Sequence, residues 1–196
     1  MTSRHQITRD DIMALEEYTA QRSEKKTAIS ALKKNRRVSV GPDATFYFES
    51  YDTMFHQIHE MLYIEKGGDD QIDDELSAYN PLIPNGRELV ATLMFEIEEP
   101  NRRETFLSGL GGVENTVSLT LGDETITALP EEDVDRTNAD GKASSVQFLH
   151  FTFTDEQIKK FRDPKTDVVL GIDHTAYGHM AKLAETIREA LAQDFD

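Results

Sequence analysis

Five stretches in the second half of the chain, Leu89 to Glu98, Thr116 to Leu121, Thr125 to Leu129, Ser145 to Thr154 and Asp167 to Ile172, carry period-two alternation or β-branched enrichment. Such a pattern turns every second side chain to one face, so each stretch predicts a strand with a buried side. Gly122 and Asp123 suit a tight hairpin turn between two of them. A further hairpin is expected earlier, where Arg37 to Val40 and Thr45 to Glu49 are separated by Gly41, Pro42 and Asp43.

Helical periodicity brackets these strands. Thr8 with Asp11 three residues on resembles an N-cap, predicting a helix that runs toward Lys34 with a break near Gln21 to Ser23. From Tyr51 to Glu65, Tyr51, Met54, Phe55, Ile58, Met61 and Leu62 share one arc, while His56, His59, Glu60 and Tyr63 share another. A short acidic helix is expected to about Tyr79, then a proline-punctuated loop, AYNPLIPNG. Pro100 opens a helix to about Leu110. The terminal segment spaces Tyr177, Met180, Leu183, Ala184, Ile187, Ala190 and Leu191 along one helical face. The expected architecture is an α+β fold: a mostly antiparallel sheet flanked by helices, with an amphipathic C-terminal helix. Residues 1–196 are expected to form one domain, a helical segment over about 8–35 followed by a mixed body.

Charge and composition exclude several functions. A net charge of -16 repels phosphate backbones, so nucleic-acid binding is not expected. With no cysteine, thiol catalysis, iron-sulfur ligation and cysteine zinc sites are excluded within the chain, and a reducing cytoplasm is the expected location. The opening MTSRHQITRDD is polar, and no apolar run approaches the roughly 18 residues of a membrane span. Against the acidic background, Lys25, Lys26, Lys33, Lys34, Arg36 and Arg37 form a basic stretch without an intervening acid. Acids gather instead at Asp69, Asp70, Asp73, Asp74 and Glu75, and from Glu131 to Asp135. This polarity either orients a partner or marks a solvated helix face.

Familiar motifs are missing. The GLGG at Gly109 to Gly112 lacks the spacing of a dinucleotide fingerprint and the Lys-Ser/Thr of a P-loop. Asp133, Asp135, Asn138, Asp140 and Gly141 do not fit a calcium loop, because placing Gly141 sixth puts Arg136 first and Gln147 last. Residues Glu131 to Ser144 are expected to form a flexible loop.

What remains is a set of imidazoles and carboxylates. His56 and Glu60, and likewise His59 and Tyr63, are four apart on one helix, a ligand type suited to iron, zinc or manganese. Completing such a site requires Glu49, His150 or the Asp173 to His179 segment. The alternative is that these groups are exposed and polar, opposite the apolar arc. Asp173 and His174 leave an apolar strand and His179 follows across a turn, where a carboxylate can fix an imidazole for metal binding or acid-base work. The alternative is that Asp173 or Thr175 caps the last helix and His174 is a satisfied polar residue. His150 shares a strand face with Val146 and Phe148 and reads as a cross-strand histidine.

The blocks VGPDATFYFE, IHEMLYIE, AYNPLIP, LMFEI and GIDHTAY occur in order across nearly the whole chain. Together they resemble the bacterial domain-of-unknown-function family 3501. The resemblance implies a redox or peroxide setting by gene association, with rubrerythrin-like or iron-sulfur oxidoreductases as partners. In the family pattern glutamine is usual at the position of His59, whereas Gln57, Glu60, Asp173, His174, Tyr177 and His179 agree. The resemblance therefore favours Glu60, Asp173, His174 and His179 as a site for Fe, Mn or Zn, or for a small anion, with His56, His59 and Glu49 secondary. Two other readings stand beside it. One is a non-catalytic module docking an oxidoreductase through the YNPLIP loop and the basic helix. The other is an enzyme with His174 as acid-base residue near Tyr177.

Overall fold

The structure is a computed structural model that describes residues 4–131 and 141–196. The Glu131 to Ser144 loop and the rejected calcium-loop positions Asp133, Asp135, Asn138 and Asp140 fall mainly outside the described residues.

Two antiparallel sheets carry the fold, as the alternation predicts. The first runs in the order β1-β2-β3-β7-β6: Arg37–Val40, Ala44–Phe48, Glu88–Phe95, Val146–Thr152 and Leu129–Pro130. The second runs β5-β4-β8-β9: Glu124–Thr127, Val117–Leu121, Val168–His174 and Tyr177–Lys182. Phe46, Phe48, Leu93, Leu149 and Phe151 from the first sheet and Leu119, Leu121, Leu170 and Ile172 from the second join one buried apolar cluster. Helices α4 (Pro100–Ser108), α5 (Asp155–Arg162) and α6 (Glu185–Leu191) add Leu107, Phe161 and Leu191 to it.

Strand β3 is buried on both faces, and Val90 on its other side belongs to a second cluster with Ile7, Met54, Ile58, Leu82 and Ile83. Helix α2 (Tyr51–Glu65) supplies two of those residues, and its apolar arc lies on the sheet as its periodicity requires. Ser50 caps it by accepting the Thr53 amide, and Lys66 ends it at φ 56°. Helix α3 (Gln71–Tyr79) follows. Outside α2 lies α1 (Leu15–Lys34), twenty residues long, in which Tyr18 alone is fully buried.

The structure corrects two expectations and adds detail at two further places. Thr8 caps only a short turn at Arg9–Asp11, and α1 begins at Leu15 and continues unbroken through Gln21 to Ser23. Helix α5 follows β7 in a stretch for which no element was expected, with Thr154 and Gln157 forming its capping box. The AYNPLIPNG segment is the expected proline-punctuated connection, with a 3-10 turn at Asn80–Leu82, and it packs inward: Leu82 and Ile83 are 4% and 3% exposed and the Asn80 side chain clasps both backbone groups of Ile7 at 2.8 and 2.9 Å.

The second correction concerns the terminal helix, which is only α6. Residues 177 to 182 form β9, paired to β8 with Ile172 opposite His179 and His174 opposite Tyr177. Met180, which the helical arc would have buried, is 77% exposed. The buried Tyr177 hydroxyl donates to the Val40 carbonyl at 2.7 Å and accepts the Asp43 and Ala44 amides, fastening the β1–β2 turn. Gly41 in that turn has φ 73°, and an added Cβ would lie 2.6 Å from the His179 ring, so the close approach requires glycine.

Ile187 on α6 is only half-buried against the core. Ile187→Ala is therefore expected to cost about 1–2 kcal/mol, below the range for a fully buried isoleucine, as a shift in urea midpoint at constant slope.

Candidate functional site

The polar arc of α2 is covered by α1. Tyr18, Arg22, Lys25, Ile29 and Leu32 recur every three or four residues, the spacing of one helical stripe, and their contacts run along α2. This stripe is the signal that marks Tyr18 and Arg22 as site residues, which the search for imidazoles and carboxylates passed over.

His59 is 2% exposed. Its Nδ1 lies 2.7 Å from the Phe55 carbonyl, so that nitrogen carries the proton, and Nε2 accepts the Met13 amide at 3.0 Å. Both ring nitrogens are thus used by backbone, and burial lowers the tendency of the ring to protonate. Its ring packs between Tyr18 and Phe55, with centroids 4.9 and 4.2 Å away. His59 is a structural residue; neither nitrogen is left to bind a metal.

Glu60 is similarly engaged. Arg22 donates to both carboxylate oxygens at 2.8 Å, and the Tyr18 hydroxyl donates to Oε1 at 2.7 Å. The guanidinium, aided by Tyr18, holds this carboxyl down to about 2. Burial and the bond to Glu60 push the Tyr18 hydroxyl up in turn. Arg22 also lies over the Tyr63 ring, 4.3 Å from its centroid.

His56 completes the cluster. Its Nδ1 is 3.3 Å from the Tyr18 oxygen. Tyr18 has one proton and gives it to Glu60, so Nδ1 must be the donor and the Nε2 lone pair remains open. Burial lowers the proton affinity of this ring, and Lys33 and Lys26 act in the same direction against Glu60. His56 is therefore neutral near pH 7, with a defined tautomer.

The other candidates sit in different surroundings. Glu49 is buried and accepts the hydroxyls of Thr53 at 2.6 Å and Thr92 at 2.7 Å. His150 bridges two carboxylates, Glu88 at 3.1 Å through Nδ1 and Glu131 at 2.9 Å through Nε2. Burial alone would lower its proton affinity, but the two carboxylates outweigh it and the net effect is upward. It is a cross-strand tie, as its strand face implies. Asp173, His174 and His179 lie on the β8–β9 hairpin, where period two turns Asp173 to the face opposite both histidines. His174 Nδ1 accepts the Ala176 amide at 3.2 Å across the turn, and His179 packs on Tyr177.

The structure thus brings His56, His59 and Glu60 together, with Tyr18 and Arg22, and does not gather Glu60 with Asp173, His174 and His179. Among the described residues no three His, Asp or Glu side chains form a group able to hold a metal ion. No described helix is long and apolar enough to cross a membrane.

Comparison with known proteins agrees with this geometry in fold and leaves the chemistry open. A search of curated proteins found no match. A crystal structure of a novel protein of unknown function from Burkholderia pseudomallei K96243 is similar, with 38% identity and a TM-score of 0.89 over 97% of this chain and 99% of that one. The family model described as protein of unknown function, DUF3501, matches residues 6–195, and the chain belongs to that family.

Proposed function

We propose that this chain is a non-catalytic binding module that docks an acidic partner surface through the outer face of α1. The observation that carries the reading is the electrostatic state of that face. Lys26 and Lys34 line an open groove of about 830 Å3 with Thr19, Ser23, Thr27 and Ser30, and Arg22 with Tyr63 of α2 borders it on the other side. Neither lysine forms an ion pair with a carboxylate among the described residues, although the chain holds 37 acids against 21 bases. Unpaired cations on an acidic protein give a local field of opposite sign to the whole, which steers an acidic partner to one face and fixes its orientation.

The rubrerythrin-like and iron-sulfur oxidoreductases implied by the family resemblance are the first partners to test. The reading of a metal or anion site at Glu60, Asp173, His174 and His179 has less support, because Glu60 is taken by Arg22 and Tyr18. An acid-base role for His174 has less support as well, since its Nδ1 accepts a turn amide and no carboxylate among the described residues orients it.

Calorimetry of the purified chain against each such oxidoreductase tests the proposal. Binding should weaken with added salt, and a Lys26→Glu, Lys34→Glu double variant should lose about tenfold or more in affinity with an unchanged thermal melt. Equal affinity in the double variant, or no binding to any of these partners, contradicts it.

A further inference from the structure

On another side of α1, facing α2, lies a cleft of about 210 Å3 that shares no side chain with the docking groove. Its wall is apolar along Ile29, Leu32 and Phe55, and polar at Lys25, Asp52 and His56. The volume is below the roughly 300–1,000 Å3 of pockets that take drug-sized ligands, so any occupant has only a few carbon atoms. Lys25 Nζ sits 5.9 Å from the Phe55 ring centroid, at the boundary between the apolar wall and the polar end.

The tautomer of His56 gives this cleft a chemical direction. Arg22 fixes Glu60, Glu60 fixes the Tyr18 proton, and Tyr18 fixes Nδ1 of His56 as a donor. The Nε2 atom has no hydrogen-bond partner among the described residues. Lys25 and Asp52 line the cleft beside this ring, Arg22 and Glu60 lie behind it through Tyr18, and the charges of Lys26 and Lys33 reach it from further along α1; His59 is neutral. Arg22 and Glu60 cancel. Asp52 lines the same cleft and offsets one of the three lysines. The balance at the cleft is cationic.

We propose that this cleft binds a small monocarboxylate, its alkyl end against Ile29, Leu32 and Phe55 and its carboxylate between Lys25 Nζ and His56 Nε2. A free carboxylate at that point favours the imidazolium, so binding takes up a proton at His56 and tightens as pH falls from 8 to 6, while the ligand stays ionised. A purely structural cluster has no reason to respond in this way.

The test is a titration of the histidine ring resonances with sodium butyrate, with 1-butanol and n-butylamine as probes of the same tail. The His56 signal is identified by its loss in His56→Gln. Butyrate should move it saturably and raise its protonation midpoint, with severalfold tighter binding at pH 6 than at pH 8; butylamine should have no effect. Lys25→Gln should weaken binding about tenfold through the lost charged hydrogen bond. Ala28 lines the same cleft at an exposed position, so Ala28→Phe should block binding while leaving the melt unchanged. Asp52→Asn should strengthen it. An absent response to butyrate into the tens of millimolar range, an equal response to butanol, or a Lys25→Gln variant that binds as the parent does would each overturn the proposal.

Discussion

Replacing Arg36 with alanine is expected to destabilise the protein by about 3–5 kcal/mol, because it strands a buried carboxylate. Arg36 stands between α1 and β1 and is 6% exposed. It donates to the carbonyls of Phe48 at 3.0 Å and Glu49 at 2.7 Å, and to the side chain of Asp194 near the C-terminus. Asp194 is 8% exposed, and burial raises its carboxyl above the ordinary 3.8 despite the attraction of Arg36. Without the guanidinium that rise grows. A carboxyl raised in the folded state binds protons more readily there than in the unfolded chain, so its penalty deepens as pH rises through the folded value. The deficit of Arg36→Ala should therefore be largest near pH 7 and narrow at pH 5, measured by urea unfolding at both. Replacing the pair together, Arg36→Met with Asp194→Leu, should cost less than Arg36→Ala alone. A deficit that grows in acid, or a double variant worse than the single, contradicts the assignment.

Glu60→Ala is the second large effect, about 2–3 kcal/mol, since it leaves the Tyr18 hydroxyl and the Arg22 guanidinium without their acceptor. The Glu60 side chain is 13% exposed and that of Arg22 28%, so screening keeps the figure below that for a fully buried pair. The sign with pH is opposite to that of Asp194. A carboxyl held down to about 2 from 4.5 contributes stability that is complete above its ordinary value and is lost as pH falls from 4.5 towards 2. Thermal melts of parent and variant should therefore converge over that interval. A constant gap between them would show that the loss is packing and not the ionised contact.

The contrast between α2 and β9 explains what the sequence disclosed. The apolar arc from Tyr51 to Glu65 is buried on one side by a sheet, so its period is set locally and both bounds are legible. The spacing of Tyr177, Met180, Leu183 and Ile187 is equally helical, yet pairing with β8 wins over it. Two-residue hairpins are decided by the partner strand, which no local period reports. Helix α5 went unread although its signal is local, since Thr154 and Gln157 have the capping-box spacing before Ile158 and Phe161.

At the site, residue types were visible and surroundings were not. His59 lies on the polar arc of α2 and becomes buried only because α1 crosses it, a fact carried by Tyr18, Arg22, Lys25, Ile29 and Leu32 on a different helix. Two of those five residues are charged, which hides the stripe from any apolar count. Asp173, His174 and His179 looked convergent because a strand end was expected to meet a helix start. A hairpin instead splits them between faces.

Hydrogen exchange along α1 tests most directly the claim that the polar groups of α2 serve to hold α1 in place. Only Tyr18 of its twenty residues is fully buried, so its attachment depends on Glu60, Arg22 and the rings around His59. In Glu60→Gln at pH 7, amides from Leu15 to Lys34 should lose protection together while β3 and β8 keep theirs. Unchanged protection along α1, or an equal loss in the two sheets, would contradict the account.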